Sequence, residues 1–303
     1  MQGTVIKSVG SSYEVALADG RMVTCRLRGR FRIGGIKSTN PLAVGDKVEV
    51  STELSQTETV MVITQILPRK NMLVRKSVNL SKQTHILAAN INKLLLVATP
   101  NEPRTSLGFI DRYITAAEQY DIRTVLVFNK TDLYTAEDAA WVENVINLYS
   151  SIGYSCLRTS AHTGEGMERL KAEMKDNVCM IGGHSGVGKT ALINAIDPSL
   201  CLKEGQISAT HNKGKHTTTF AQMVAVAGGF LIDTPGIKEF GITTTDPVEI
   251  RHCFVDFVRL QQQCRYNTCT HTHEPGCAIK KAVAEGQIAE SRYQNYLNII
   301  QSV

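Results

Sequence analysis

The chain has 303 residues, 43% of them hydrophobic and 20% charged, and 33 Lys+Arg against 28 Asp+Glu leave a net charge of +5. That length predicts two or three domains, and the balance is that of an ordinary globular protein. No apolar run approaches the roughly 18 residues that cross a bilayer, since the best stretch, 94–98, stops at Thr99-Pro100, so a membrane-spanning chain is excluded and no membrane partner is expected. Residues 1–7 enter strand-like alternation without the basic, apolar and small-residue regions of an export signal, so a cytoplasmic location is expected.

Apolar and polar residues alternate over 4–9, 13–17, 22–27, 47–50 and 60–67, between Gly, Asp and Pro punctuation at Gly10, Asp19-Gly20, Gly34-Gly35, Pro41 and Gly45-Asp46. Five short strands in such a span predict a small closed barrel of the OB type, taken to cover residues 1–68. Residues 1–45 carry seven basic and two acidic residues, with Arg21, Arg26, Arg28, Arg30, Arg32 and Lys37 close together and Phe31 between cations. Clustered cations suit a phosphate backbone, so RNA contact is expected here. After the linker Pro68-Arg69-Lys70 the pattern changes to short buried strands (93–99, 124–128, 155–159, 178–181) alternating with amphipathic helices (106–120, 136–152, 167–174), which predicts a largely parallel α/β sheet. Residues 222–232 read as a hairpin around Gly228-Gly229, and 285–300 as a polar helix.

Gly183-His184-Ser185-Gly186-Val187-Gly188-Lys189-Thr190 fits G-x-x-x-x-G-K-[ST] and follows the strand 178–181 directly. Glycines let backbone N–H groups wrap a phosphate, and the helix that starts at Thr190, with Ala191 in its first turn, offers its positive end to the same anion. Lys189 is expected at the β and γ phosphates and Thr190 on Mg2+. Asn129-Lys130-Thr131-Asp132 ends the strand 124–128. The Asp132 carboxylate can accept from both the ring N–H and the exocyclic amine of guanine, a donor pair that adenine lacks. Lys130 would cover the base plane, Asn129 would tie the loop to neighbouring backbone, and in Ser160-Ala161-His162 the Ala161 N–H would meet the guanine carbonyl. Asp233-Thr234-Pro235-Gly236 fits D-x-x-G, with Asp233 acting indirectly on Mg2+ and the Gly236 N–H facing the γ-phosphate. One of Thr217, Thr218 and Thr219 in Gly214-Lys215-His216-Thr217-Thr218-Thr219 should meet the metal, Thr218 being the working choice.

The order of these elements is unusual. The base-reading tetrad and Ser-Ala-His precede the phosphate loop, the threonine loop and D-x-x-G, which is a GTPase sheet cut and rejoined over residues 69–242. Circular permutation keeps the site, because the loops still gather at one sheet edge. Eight cysteines are too few for a disulfide scaffold. Four ligand-type residues crowd into Cys264-x4-Cys269-x-His271-x5-Cys277. Three thiolates and an imidazole suit a closed, structural Zn2+ site in a mainly helical segment, 243–303. His273 is a rival ligand, and Cys253 reads as a small buried residue.

With these residues in place the chain resembles the RsgA (YjeQ/YloQ) family of circularly permuted ribosome-assembly GTPases. The resemblance covers nearly the whole length and rests on GHSGVGKT, NKTD, GKHTTT, DTPG and the Cys/His spacing. It implies a GTPase that binds the small ribosomal subunit and its rRNA and hydrolyses GTP during assembly of that subunit. Ile237 stands where many GTPases carry a water-orienting glutamine, and the family places that role on His216. A slow intrinsic rate, on the ~10⁻⁴ s⁻¹ scale of unassisted GTPases, raised by the partner, is expected. Nothing in the sequence requires a second copy, so a monomer is expected. An alternative of another class stays open here: a GTP-dependent switch acting on a protein partner, with salt-independent binding through the barrel. A nucleic-acid-processing enzyme is disfavoured, since no carboxylate cluster for two-metal chemistry lies outside the motifs.

Overall fold

The structure, a computed structural model, describes residues 1–9, 12–27, 42–54, 59–76, 84–202, 222–233, 242–244 and 246–302. The chain forms two compact units: Met1–Lys93 with Leu170–Ile181 and Ile196–Glu239, and Leu94–Arg169 with Gly182–Ala195 and Phe240–Val303.

In the first unit, β1 (Gln2–Val9), β2 (Ser12–Leu17), β3 (Met22–Leu27), β4 (Lys47–Leu54) and β5 (Thr59–Ile66) close a barrel. β1 pairs antiparallel with β2 and β4, β2 with β3 and β4 with β5, while β3 and β5 run parallel, so each strand has two neighbours within the barrel. Alternation does this: in β2 the inward Tyr13, Val15 and Leu17 are buried while Ser12, Glu14 and Ala16 are not, and they join Val5, Cys25, Val48, Val50 and Ile63 in one core. Of the basic residues in this segment, Lys7 lies 3.5 Å from Glu14 and Arg21 2.7 Å from Asp19. Arg28, Arg30, Phe31, Arg32 and Lys37 lie outside the described residues.

Just after the Pro68-Arg69-Lys70 linker, where the sequence predicts no element, a further hairpin forms, β6 (Met72–Lys76) with β7 (Thr84–Ala89). The linker's Arg69 grips the fully buried Asp46 carboxylate with Nε and Nη2, both at 2.6 Å. Later in the chain come β8 (Lys93–Ala98), α1 (Leu107–Glu118), β9 (Arg123–Phe128), α2 (Ala136–Ile152), β10 (Ser155–Arg158), α3 (Met167–Met174), β11 (Val178–Gly182), α4 (Lys189–Ile196), β12 (Gln222–Val226) and β13 (Gly229–Asp233). Within the first unit β11 runs parallel to β13, and β13 turns antiparallel to β12 at Gly228-Gly229 as the sequence suggests. β12 meets β1 at Gln222 opposite Lys7.

In the second unit β8, β9 and β10 lie side by side, with β9 and β10 parallel, Val125 opposite Ser155. Five of the six residues of β8 and of β9 are buried, as expected of strands covered on both faces. α1 starts where Ser106 Oγ accepts the Phe109 N–H, α2 where Thr135 and Asp138 cap each other, and α2 stops at Gly153, whose φ of +119° suits glycine. The C-terminal part holds α5 (Pro247–His252), α6 (Val255–Val258), α7 (Ala278–Ala284) and α8 (Glu290–Ser302) around Ile250, Phe254, Phe257, Ile279, Tyr296 and Ile299. The helix read as 285–300 starts five residues later: Glu285 ends α7 and Gly286, at φ +71°, turns the chain before α8.

Candidate nucleotide site and candidate metal centre

The carboxyl ends of β8, β9 and β10 lie level: the Asn129 N–H donates to the Ala98 carbonyl at 2.9 Å and the Thr159 N–H to Phe128 at 2.8 Å. Ligand loops collect at such an edge. Asn129, 1% exposed, joins three of them. Its Nδ2 donates to the Val187 carbonyl of the phosphate loop at 2.8 Å, its Oδ1 accepts from the Thr159 hydroxyl at 3.2 Å, and its own carbonyl accepts from Tyr134 Oη at 2.9 Å. Thus the Asn-Lys-Thr-Asp loop and the phosphate loop are fixed to each other by one side chain.

Lys130 sits at φ +68°, uncommon for a residue with a Cβ, and its Nζ donates to the Glu102 carbonyl at 2.7 Å. Thr131 Oγ1 donates to Glu165 Oε2 at 2.5 Å. Ser160 Oγ donates to Asp132 Oδ1 at 2.5 Å while accepting from the His162 and Thr163 N–H groups, so the carboxylate is aimed by the Ser-Ala-His loop. Asp132 Oδ2 lies 3.9 Å from Nδ1 of the exposed His162. Ala161 is half-buried beside them.

The phosphate loop runs from β11 into α4, the strand–turn–helix setting that its motif requires. Gly183 and Gly188 have φ of +134° and +92°; a Cβ on the first would lie 2.3 Å from the Val97 carbonyl oxygen and on the second 2.4 Å from Asn129 Nδ2. Ser185 and Gly186 are exposed, Val187 is buried, and Ala191 is exposed on α4. Lys189 and Thr190 are buried, and Lys189 Nζ donates to the carbonyls of Gly183 at 2.9 Å and His184 at 2.7 Å. Burial, then the neighbouring Lys189 charge, push the His184 imidazole below its ordinary pKa. Asp233 ends β13 in the other unit. His216, Thr218 and Gly236 lie outside the described residues.

Sulfur and nitrogen atoms of Cys264, Cys269, His271 and Cys277 all lie within 4.8 Å of one another. Tetrahedral coordination with bonds of about 2.3 Å to sulfur separates ligands by roughly 3.8 Å, so the four fit one ion. His271 Nδ1 faces Cys264 Sγ at 3.6 Å and Cys277 Sγ at 3.4 Å, and its Nε2 is buried without a hydrogen-bond partner. Burial pushes the Cys269 thiol up to about 12, raises Cys277 and lowers His271 to about 4. These shifts favour the neutral forms of Cys269, Cys277 and His271, so a cation held there has to displace thiol protons. The loop is braced from outside: Arg251 donates to the Cys269 and Asn267 carbonyls, Tyr293 Oη to the His271 carbonyl and Tyr296 Oη to that of Thr270. Burial alone would raise the Glu274 carboxyl, but the Thr270 hydroxyl and the Thr270 and Thr272 amides hold it at about 2. His273 is exposed and bonded to Thr272, and Cys253 is buried with its thiol pushed up to about 12.

Sequence reasoning passed over Glu102, Phe109, Tyr134 and Glu165, which brace the loops. For Glu102 the signal was position, since Thr99-Pro100-Asn101-Glu102-Pro103 joins a buried strand to a helix at the sheet edge.

The family model described as "RsgA GTPase" matches residues 66–243, and "RsgA N-terminal domain" matches 2–60. The chain is 49% identical to a Bacteroides fragilis protein named small ribosomal subunit biogenesis GTPase RsgA, over 99% of this chain and 96% of that one. The chain belongs to the RsgA GTPase family. A Christiangramia forsetii protein of the same name is 50% identical over the same shares of the two chains. The solved structure of YjeQ from Thermotoga maritima superposes with a TM-score of 0.82 at 36% identity, covering 99% of this chain and 97% of that one. A second, described as YloQ, a circularly permuted GTPase, gives 0.78 at 26% identity, covering 99% and 94%. Membership makes this chain a GTP hydrolase of permuted order, a barrel preceding its P-loop domain and a helical Cys3His segment following it. Among the described residues no helix is long and apolar enough to cross a membrane.

Proposed function

We propose that this GTPase binds the small ribosomal subunit and hydrolyses GTP during its late assembly, acting in the cytoplasm as a monomer. The observation that carries the nucleotide reading is the Asn129 tie, which fastens the glycine-rich loop 183–190 to the loop that carries Asp132 and so supports their acting on one ligand. The subunit enters from the names of full-length relatives, and the excess of Arg and Lys in the barrel segment supports contact with rRNA. Residues 1–68 serve as the RNA-binding barrel, 69–242 as the permuted G domain and 243–303 as the metal-held segment.

In this reading the phosphate loop N–H groups of residues 183–191 surround the phosphates, and Lys189 exchanges two backbone carbonyls for phosphate oxygens. Asp132, aimed by Ser160, pairs with the guanine edge; Ala161 N–H meets its carbonyl; Lys130 covers its face; Asn129 and Thr131 hold the loop in place. Thr190, Thr218 and, indirectly, Asp233 hold Mg2+, which when bound neutralises charge building on the phosphates. The Gly236 N–H faces the γ-phosphate and His216 orients the attacking water. Cys264, Cys269, His271 and Cys277 hold one structural Zn2+, a closed set of four protein ligands with no open position for chemistry.

Steady-state hydrolysis, alone and with purified small subunits and with ATP as the control nucleotide, tests the whole. A slow GTP rate raised many-fold by subunits, absent with ATP and cut at least tenfold by His216→Ala at unchanged GTP affinity, is the expected result. GTP hydrolysis indifferent to subunits would remove the ribosome and leave the enzyme.

A further inference from the structure

Helix α1 carries no residue of the nucleotide motifs, yet three other parts of the second unit are fastened to it. Its first turn lies on the phosphate loop: the Phe109 ring stacks on His184, centroids 3.7 Å apart and planes 27° from parallel. One turn on, Tyr113 packs 4.5 Å from Phe109 and so close over Gly182 that a Cβ there would lie 3.0 Å from its ring. Another flank of α1 belongs to α8. A Cβ on Gly108 would sit 3.3 Å from Asn295 Oδ1, so the side chains of α8 come close against the α1 backbone there. Fully buried Asp111 accepts from Asn295 Nδ2 at 2.6 Å, Arg292 Nη1 at 2.5 Å and Tyr149 Oη at 2.6 Å. Beyond the last turn, Gln119 Oε1 accepts the Thr243 N–H at 3.0 Å and Gln119 Nε2 donates to Thr243 Oγ1 at 2.7 Å, joined by Tyr120 Oη at 3.3 Å.

We propose that Phe109 is a positioning residue for the phosphate loop, and that α1 couples nucleotide occupancy to the seating of α8 and of the metal loop behind it. The proposal rests on the reading that residues 183–191 bind nucleotide.

The stack fixes more than a side chain. The His184 carbonyl receives Lys189 Nζ, so the placement of His184 sets both a peptide of the cradle and the rest position of the phosphate-binding lysine. A neutral ring, which burial and Lys189 favour, stacks without an ionic shell to strip. α1 is 12 residues and about 18 Å long, with Ile110, Asp111, Ile114, Thr115, Ala116 and Ala117 buried, and in the proposal it acts as one rigid member. α8 in turn holds the metal loop through Tyr293 and Tyr296. Whatever nucleotide does to His184 acts on the helix that seats α8, and linkage makes the effect reciprocal.

Hydrogen exchange of the α8 amides, with and without GDP or a non-hydrolysable GTP analogue, reads the coupling in the full-length metal-loaded protein. Nucleotide should slow α8 exchange in the wild type and in Phe109→Tyr, which keeps a ring. Phe109→Leu should bind GDP roughly two- to tenfold more weakly, the worth of one aromatic pair, and lose most of the α8 response. At the other end, Asn295→Ala should shift GDP affinity without touching the phosphate loop, and its effect should be non-additive with Phe109→Leu. GDP that binds without changing α8 exchange, an undiminished response in Phe109→Leu, or strictly additive losses would overturn the coupling alone. A wild type that binds no GDP would overturn the nucleotide reading and the coupling with it.

Discussion

Replacing Arg292 by Met deletes one cation from a buried group of charges. Arg292 is 1% exposed, its Nη1 on Asp111 and its Nη2 and Nε on Asp256 at 2.7 and 3.2 Å, and its guanidinium lies 4.5 Å over the Phe254 ring. Methionine keeps the stem and its packing, so the loss is electrostatic. Taking one partner from a buried ion pair costs about 3–5 kcal/mol, because the remaining charge stays desolvated. Burial pushes the Asp111 carboxyl above its ordinary pKa, and the charge of Arg292 is the strongest influence against that. Without Arg292 the folded-state pKa rises further above the unfolded value of about 3.9. At Asp111 the folded variant then binds more protons than the unfolded chain, so this group's contribution to stability is greatest below about pH 4 and falls as pH climbs toward the raised pKa, by at most about 1.4 kcal/mol per unit. Urea unfolding followed by the single tryptophan, Trp141 on α2, which also carries the Tyr149 that bonds Asp111, reads this directly. Relative to wild type the variant should lose more at pH 8 than at pH 5.5, and Asp111→Asn with Asp256→Asn in the same chain should restore most of the loss. A cost below about 1 kcal/mol, or one indifferent to pH, would mean that Arg292 does not offset the desolvation of the Asp111 carboxylate.

Asp132→Asn removes the acceptor pair for guanine, two charge-assisted hydrogen bonds of about 1.5–3 kcal/mol each, so GTP affinity by calorimetry should fall at least ~100-fold while the fold persists. Elemental analysis should find one zinc per chain in the wild type and none in Cys277→Ser, whereas His273→Ala should keep it, since His273 lies outside the cluster and bonds Thr272. Gly188→Ala forces a Cβ into Asn129 Nδ2 at a φ of +92°, which should raise the Kd for GDP at least tenfold; an unchanged Kd would deny that the tie shapes the cradle.

Strand and helix positions were legible wherever local pattern decides them. Period-two alternation placed β2 and β3, a buried run placed β9, and the bounds of α2 are those that a Thr135 cap and Gly153 announce. The phosphate loop was legible because its motif needs only a strand before and a helix after. The features that stayed hidden depend on partners remote in sequence. The sequence predicts no element for the β6–β7 hairpin, which follows the linker, since nothing within it shows what it pairs with. Arg292 sat in a helix read as polar, and its acceptors Asp256 and Asp111 lie 36 and 181 residues away. Amphipathicity predicted that α1 has an apolar face, and could not say that Phe109 on it meets His184.

The same distinction explains why the permuted order leaves a working site. Asn129 and Val187 are 58 residues apart, and the base loop is held to the phosphate loop by a side-chain hydrogen bond. A bond of that kind is indifferent to the route by which the chain connects its ends, so the sheet can be cut wherever a surface loop tolerates a terminus. The cut does decide which segment comes after D-x-x-G. Here that segment holds Thr243, clamped by Gln119 at the far end of the helix whose first turn lies on His184. The exit from the switch and the start of the phosphate loop are thereby fastened to opposite ends of α1, and α8 is fastened between them at Asp111. In a GTPase of ordinary order the residues after D-x-x-G lead on to the base-reading loop within the same domain. In this order they lead into the segment that carries Cys264, Cys269, His271 and Cys277, and α1 is the element in contact with both.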